Sequence, residues 1–183
     1  MKILLHICCA PCAIHPLREL AGTGDNTITG FYYNPNIHPF TEWEKRRRAL
    51  IDYAQSQKLD VIYGGYEIER FFGGLKGEFE SPGRCLSCWR MRLAATACAA
   101  KEGGFDAYTT TLLVSPYQDR DTIVNIGKEL SDEAGVVFLG EDYRTGFRQA
   151  QQLARERGMY RQKYCGCVFS ERERFQKTRS SSG

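Results

Sequence analysis

The chain has 183 residues, enough for one domain with a full core, so no metal or disulfide is needed merely to make it fold. Its hydrophobic fraction of 42% and charged fraction of 26% are ordinary for a globular protein, and no apolar run approaches the ~20 residues of a membrane span. The net charge of +3 does not by itself indicate nucleic acid.

Residues 2–7 (Lys-Ile-Leu-Leu-His-Ile) form an apolar run that His6 interrupts too early for a signal peptide, and they read as a first buried strand. The expected location is therefore the cytoplasm, where thiols stay reduced. Residues 12–21 read as a helix. The β-branched and aromatic run 27–33 is a second strand, stopped by Asn34-Pro35-Asn36. Residues 41–57 form a helix with Thr41 as N-cap, Glu44 three residues on, and a stripe of Trp43, Leu50, Ile51 and Ala54. Residues 60–63 give a third strand and 67–75 a short helix. A helix follows from about Cys85 to Glu102, then a strand from Ala107 to Leu113. Residues 121–133 are helical, 136–139 form a strand, 146–157 a helix, and 169–177 a last short helix.

Strands that alternate with helices predict a mostly parallel sheet covered on both faces, a Rossmann-like three-layer α/β/α fold. One domain over residues 1–177 is expected, with a disordered tail at 178–183. In such sheets the working site lies beyond the carboxyl ends of the strands. That rule brings together Cys8-Cys9, the loop from Asn34 to His38, and the loop from Leu113 to Tyr117. The helix opening at Cys85 and the turn at Cys165 can close over them.

The cysteines are the strongest chemical signal. Of eight, Cys8, Cys9, Cys85, Cys88, Cys165 and Cys167 fall into three close-set groups, and Cys12 lies three residues after the first. Thiolates select iron–sulfur clusters, zinc or copper(I). Cys8, Cys9, Cys85 and Cys88 supply the four ligands that an iron–sulfur cluster takes. Adjacent cysteines are awkward for tetrahedral zinc, whose paired ligands are usually spaced by two to four residues. Cys165-Gly166-Cys167 differs: a glycine between two thiols lets them approach, and a disulfide across so small a loop would be easily reduced. The same pair could instead be two more metal ligands. Cys12, in the first turn of a helix, is open to three readings: core residue, extra ligand, or activated thiol. Cys98, among alanines, reads as a small core residue.

Five segments taken in order resemble the QueH type of epoxyqueuosine reductase over nearly the whole chain. They are Leu5-His6-Ile7-Cys8-Cys9-Ala10-Pro11-Cys12, Phe31 to Pro39, Arg84 to Arg92, Thr109 to Gln118, and Gly158 to Cys167. The resemblance implies reduction of the epoxide of epoxyqueuosine in tRNA to the alkene of queuosine. It implies a [4Fe-4S] cluster on Cys8, Cys9, Cys85 and Cys88, and a redox-active pair at Cys165 and Cys167. The implied fold is similar to the adenine-nucleotide α-hydrolase type. Its Ser-Gly-Gly phosphate loop is replaced here by Cys8-Cys9, so ATP chemistry does not follow from the fold.

The expected mechanism has an iron polarising the epoxide oxygen, either a cluster iron or a second iron ion near Cys12. His38, Tyr117 and Tyr164 are candidates for orienting substrate or donating a proton. Tyr32, Tyr33, Phe40 and Trp89 are candidates for stacking on an extruded base. Basic stretches at Lys45 to Arg48, Arg155 to Lys163 (with Arg161) and Arg172 to Arg179 are candidates for the tRNA phosphates. An unidentified electron donor completes the partners, and no membrane is expected. Two rival readings use the same cysteines: a zinc-binding RNA module, and a thiol–disulfide oxidoreductase centred on Cys85-x-x-Cys88.

Overall fold

The computed structural model describes residues 1–180, with side chains through residue 176. The elements in chain order are β1 (Lys2–His6), α1 (Ala10–Gly22), β2 (Thr27–Tyr32), α2 (Phe40–Gln57), β3 (Val61–Tyr63), α3 (Ile68–Gly74) and α4 (Gly83–Glu102). They continue with β4 (Ala107–Thr110), α5 (Arg120–Ala134), β5 (Val137–Phe138), α6 (Phe147–Glu156) and α7 (Val168–Ser180). Single 3-10 turns at Thr111–Val114 and Tyr143–Gly146 precede α5 and α6. The last residues of the tail expected at 178–183, from 181 on, lie outside the described residues.

The five strands form one parallel sheet in the order β3-β2-β1-β4-β5, with helices on both faces. This is the three-layer Rossmann-like arrangement that the alternation of elements predicts. Central β1 is buried on both faces and alternates with period two. Leu4 packs with Trp89, Leu93 and Ala97 of α4 and Ile123, Ile126 and Leu130 of α5. Ile3, Leu5 and Ile7 pack on the opposite side with Ile14 of α1, Leu50 of α2 and Ala150 of α6. Each such buried aliphatic side chain contributes roughly 1.5–3 kcal/mol, which fixes the register of β1 and hence the position of the residues that follow it. A third, smaller cluster joins Phe71 and Leu75 to Cys88 and Cys167, with Phe169 against it.

Three local expectations are corrected. The strand expected through Leu113 ends at Thr110, because the Thr110 hydroxyl accepts the Leu112 N–H and starts a 3-10 turn. Helix α2 begins one residue before Thr41. The carbonyl of Pro39 takes the Glu42 and Trp43 N–H groups, so Thr41 stays exposed and no capping box forms. Cys98 is exposed rather than core, and its thiol donates to Glu102 Oε1 at 3.3 Å.

Residues His6 of β1 and Thr110 of β4 are paired in register, so these two strands end together. From β1 the chain steps outward to β2 and β3, and then returns to β4 on the other side. The crevice between the ends of β1 and β4 is therefore the topological switch point, where such folds bind ligands.

Candidate active site: three cysteine groups at the sheet edge

The first cysteine group sits at this switch point. Cys9 is the extended residue before α1, and Pro11 occupies the opening turn of that helix, where its missing N–H costs nothing. Cys8, Cys9 and Cys12 are drawn together by this strand-to-helix turn, and their sulfurs lie within 4.8 Å of one another. Among the described residues they are the only group of three or more potential ligands so close, and Cys85 and Cys88 do not join them at that radius.

The surroundings of the trio favour negative charge on sulfur. The Thr111 hydroxyl donates to Cys8 Sγ at 3.3 Å and accepts the Cys8 N–H at 3.0 Å. Gln162 donates from Nε2 to Cys9 Sγ at 2.9 Å. The amino end of α1 adds its partial positive charge. Hydrogen bonding from Cys12 and then Cys9, with Arg92 nearby, holds the Cys8 thiol well below its usual range. The other two thiols move the opposite way. Cys9 is pushed up to about 12, with the Cys8 sulfur and burial outweighing the hydrogen bond from Cys12, and Cys12 is raised chiefly by the Cys8 and Cys9 sulfurs.

His6 lies beneath. Burial, reinforced by Arg92, pushes its imidazole down to about 3, so it is neutral. Its Nε2 faces the Tyr33 carbonyl at 3.2 Å and its Nδ1 the Thr110 hydroxyl at 2.8 Å. It thus ties three strand ends together.

The second group lies on the first two turns of α4. Cys85 is half-buried and Cys88 buried. Burial pushes the Cys88 thiol up to about 12, against the pull of Arg92. Arg92, one turn further along the same face of α4, directs NH1 toward Cys88 Sγ at 3.9 Å.

The third group is a turn held almost wholly by side chains. Gly166 has φ +150, and a Cβ there would meet Ile37 Cγ1 at 3.0 Å and Asn36 Nδ2 at 3.1 Å, so only glycine fits between Cys165 and Cys167. Arg46, 1% exposed, donates to the carbonyls of Cys165 at 2.8 Å and Tyr164 at 3.2 Å. Its charge is balanced by Glu42 at 2.7 Å, which also accepts the Tyr160 hydroxyl. The Gly166 carbonyl accepts the His38 N–H at 2.8 Å. On the far side, buried Arg84 grips Glu173 of α7 with both terminal nitrogens, at 2.9 and 3.1 Å. Cys165 is left exposed, and Cys167 buried. Gln118, oriented by the Trp89 indole N–H at 2.8 Å, brings Nε2 to 3.9 Å from Cys165 Sγ.

The other predicted site residues take varied places. His38 is 1% exposed, with Nε2 bonded to the Pro35 carbonyl at 3.1 Å and Nδ1 accepting the Val168 N–H at 3.4 Å. Neither ring nitrogen is presented to a substrate, and burial lowers its pKa. Tyr164 is half-buried and donates to the His38 carbonyl at 2.6 Å. Tyr117, at 84% exposure, stands in the open beside Gln118, and Arg161 is also exposed. Of the candidate stacking residues, Tyr32, Tyr33 and Trp89 are core, because each also needs its polar atom bonded inside. Phe40 alone of these is exposed. Arg46, expected among phosphate-binding cations, is instead the buried clamp described above. Its i,i+4 spacing from Glu42 was the available signal. Sequence reasoning also missed Thr111, Gln162 and Arg92. Arg92 alone had a pattern to find it, since it follows Cys88 by one helical turn.

A parallel sheet whose switch point is edged by thiols rather than a phosphate loop defines a thiol-centred Rossmann-like protein. Residues 3–173 match the model of the family described as epoxyqueuosine reductase QueH. A Thermotoga maritima protein named epoxyqueuosine reductase QueH is 38% identical, over 96% of this chain and 93% of the relative. One of the same name from Dehalococcoides mccartyi is 34% identical, over 98% and 97%. The chain belongs to the QueH family, and it is an oxidoreductase.

Proposed function

We propose that this protein reduces the epoxide of epoxyqueuosine, at the wobble position of tRNA, to the alkene of queuosine. In this reading Cys8, Cys9, Cys85 and Cys88 hold a [4Fe-4S] cluster, and Cys165 and Cys167 are a separate reducible pair. The observation that carries it is at Arg92: this buried guanidinium lies against Cys88 Sγ at 3.9 Å with no carboxylate paired to it among the described residues, and its charge is felt by Cys8 and Cys165. Its Nε is buried without a partner, as is Gln162 Oε1 beside Cys9. Unmet polar atoms around a soft, anionic donor set fit a bound iron–sulfur group.

When bound, such a cluster supplies single-electron transfer and a Lewis-acidic iron. The chain supplies the rest. Reduction to the alkene breaks both carbon–oxygen bonds of the epoxide and consumes two electrons and two protons, the oxygen leaving as water. Oxidation of the Cys165 and Cys167 thiols to a disulfide releases two electrons and two protons, which balances the step. An external donor then restores the dithiol. Exposed Cys165 meets that donor and buried Cys167 resolves the disulfide. Arg46 and His38 hold the turn by their bonds to its backbone, and Tyr164 ties it to the His38 carbonyl. Tyr117 and Phe40 are exposed and can stack on a base drawn out of the anticodon. Exposed Arg161 and Arg48 take phosphates. No helix among the described residues is long and apolar enough to cross a membrane.

The closeness of Cys8, Cys9 and Cys12 favours one further reading, a single metal ion on that trio, alone or beside the cluster. Iron and acid-labile sulfide separate these: equal amounts mark the cluster, iron in excess of sulfide marks an ion beside it, and metal without sulfide marks the lone ion. The function itself is tested with anaerobically reconstituted protein, dithionite and epoxyqueuosine-containing tRNA. The expected result is queuosine in the digested tRNA. Folded, iron-loaded protein that leaves the epoxide intact contradicts the reading.

A further inference from the structure

Three arginines are sunk in this protein: Arg46 at 1%, Arg84 at 2% and Arg92 at 2% exposure. Two of them are balanced by carboxylates, Arg46 by Glu42 and Arg84 by Glu173. Arg92 has no carboxylate within ion-pair distance among the described residues. Its NH2 donates to the neutral Asn34 Oδ1 at 2.8 Å, its NH1 faces Cys88 Sγ at 3.9 Å, and its Nε has no partner. A guanidinium keeps its proton inside a protein. A single buried charge with no counter-ion costs several kcal/mol. The Cys88 sulfur faces it, and its charge is felt by Cys8, Cys165 and the neutral His6.

We infer that Arg92 is the counter-charge of the sulfur site and sets how readily that site accepts an electron. The inference rests on the cluster proposed above. Arg92 acts through the sulfurs and does not touch substrate. A fixed positive charge against ligand sulfurs favours the more negative, reduced state, and so raises the reduction potential, since charge and hydrogen bonds at the sulfurs set it. Asn34 keeps this charge free: an amide oxygen orients the guanidinium without neutralising it, where an aspartate would cancel it.

The test is the midpoint potential of the reconstituted protein, followed spectroscopically during reductive titration. Arg92→Gln removes the charge, and Asn34→Asp cancels it while leaving Arg92 in place. Each is expected to shift the one-electron equilibrium at least about tenfold toward the oxidised form, which is about 59 mV downward. Arg92→Lys keeps the charge and is expected to stay near wild type. If Arg92→Gln does not fold, Asn34→Asp still reads the effect. Iron-loaded Asn34→Asp, and Arg92→Gln where it folds, at the wild-type potential overturns the inference alone. A wild-type protein that takes up no iron overturns the cluster reading and this inference with it.

Discussion

Cys8, Cys9 and Cys12 are held by regular structure, whereas Cys165 and Cys167 are held by side chains. The first trio ends the central strand and opens α1, so the sheet register and a buried core on both faces fix it. The second pair lies on a turn with no strand beneath it. Arg46 and His38 reach its backbone from outside, Tyr164 reaches out from it to the His38 carbonyl, and Gly166 has the one backbone geometry that fits. The difference matches two kinds of chemistry. A metal site needs ligands that do not move, while a dithiol that cycles to a disulfide needs sulfurs able to shift by a bond length within a clamp. The clamps therefore sit on the neighbouring carbonyls and leave the Cys165 side chain unclamped.

The comparison breaks most visibly at the cysteines themselves. Cys8→Ser is expected to lose iron and activity together, whereas Cys165→Ser keeps iron and loses thiol-driven turnover; metal analysis beside a turnover assay reads both. Equal iron loss in the two variants would merge the sites. Next in size is Arg46→Ala, which frees the turn and leaves Glu42 buried without its partner. It is expected to cost about 3–5 kcal/mol in chemical denaturation, while iron bound to the folded fraction is unchanged.

A pH effect should follow from His38. Burial depresses its folded pKa below the unfolded value of about 6.5. Below that value the unfolded chain binds the extra proton, so stability is full above about pH 6.5 and falls as pH drops. Thermal unfolding from pH 7.5 to 5 should show this loss on top of a larger one from buried His6, so His38→Gln should lessen the slope without removing it. The smallest effect is expected at the surface. Charge reversal of exposed Arg161 or Arg48 should weaken tRNA binding and reduce its salt slope by about one per lost phosphate contact, with metal content untouched. An unchanged slope for both would move the RNA interface elsewhere.

Much of this arrangement was legible in the sequence. All five strands and their parallel pairing follow from apolar runs separated by amphipathic helices, because periodicity reports burial directly, whereas the strand order does not. The location of Cys8 and Cys9 at the end of a strand follows from the same pattern. What stayed hidden depends on partners distant in the chain. Arg46 sits in a basic run and looks like a solvated cation. It is buried because the carbonyls of Tyr164 and Cys165, more than a hundred residues away, fold onto it. Arg84 likewise needs Glu173 of α7. Tyr32 and Trp89 looked available for stacking, yet each is buried and has a protein acceptor for its polar atom. Cys98 shows the converse, a residue among alanines that the helix turns outward.

The central claim is that Cys165 and Cys167 deliver the electron pair while the other thiols hold the metal. A single turnover tests it most directly. Reduced, iron-loaded protein freed of excess reductant is mixed with epoxyqueuosine-containing tRNA without oxygen, quenched, and alkylated. The account predicts that queuosine appears together with loss of both alkylatable thiols from the peptide spanning residues 164–172. Queuosine formed while Cys165 and Cys167 both remain alkylatable would contradict it.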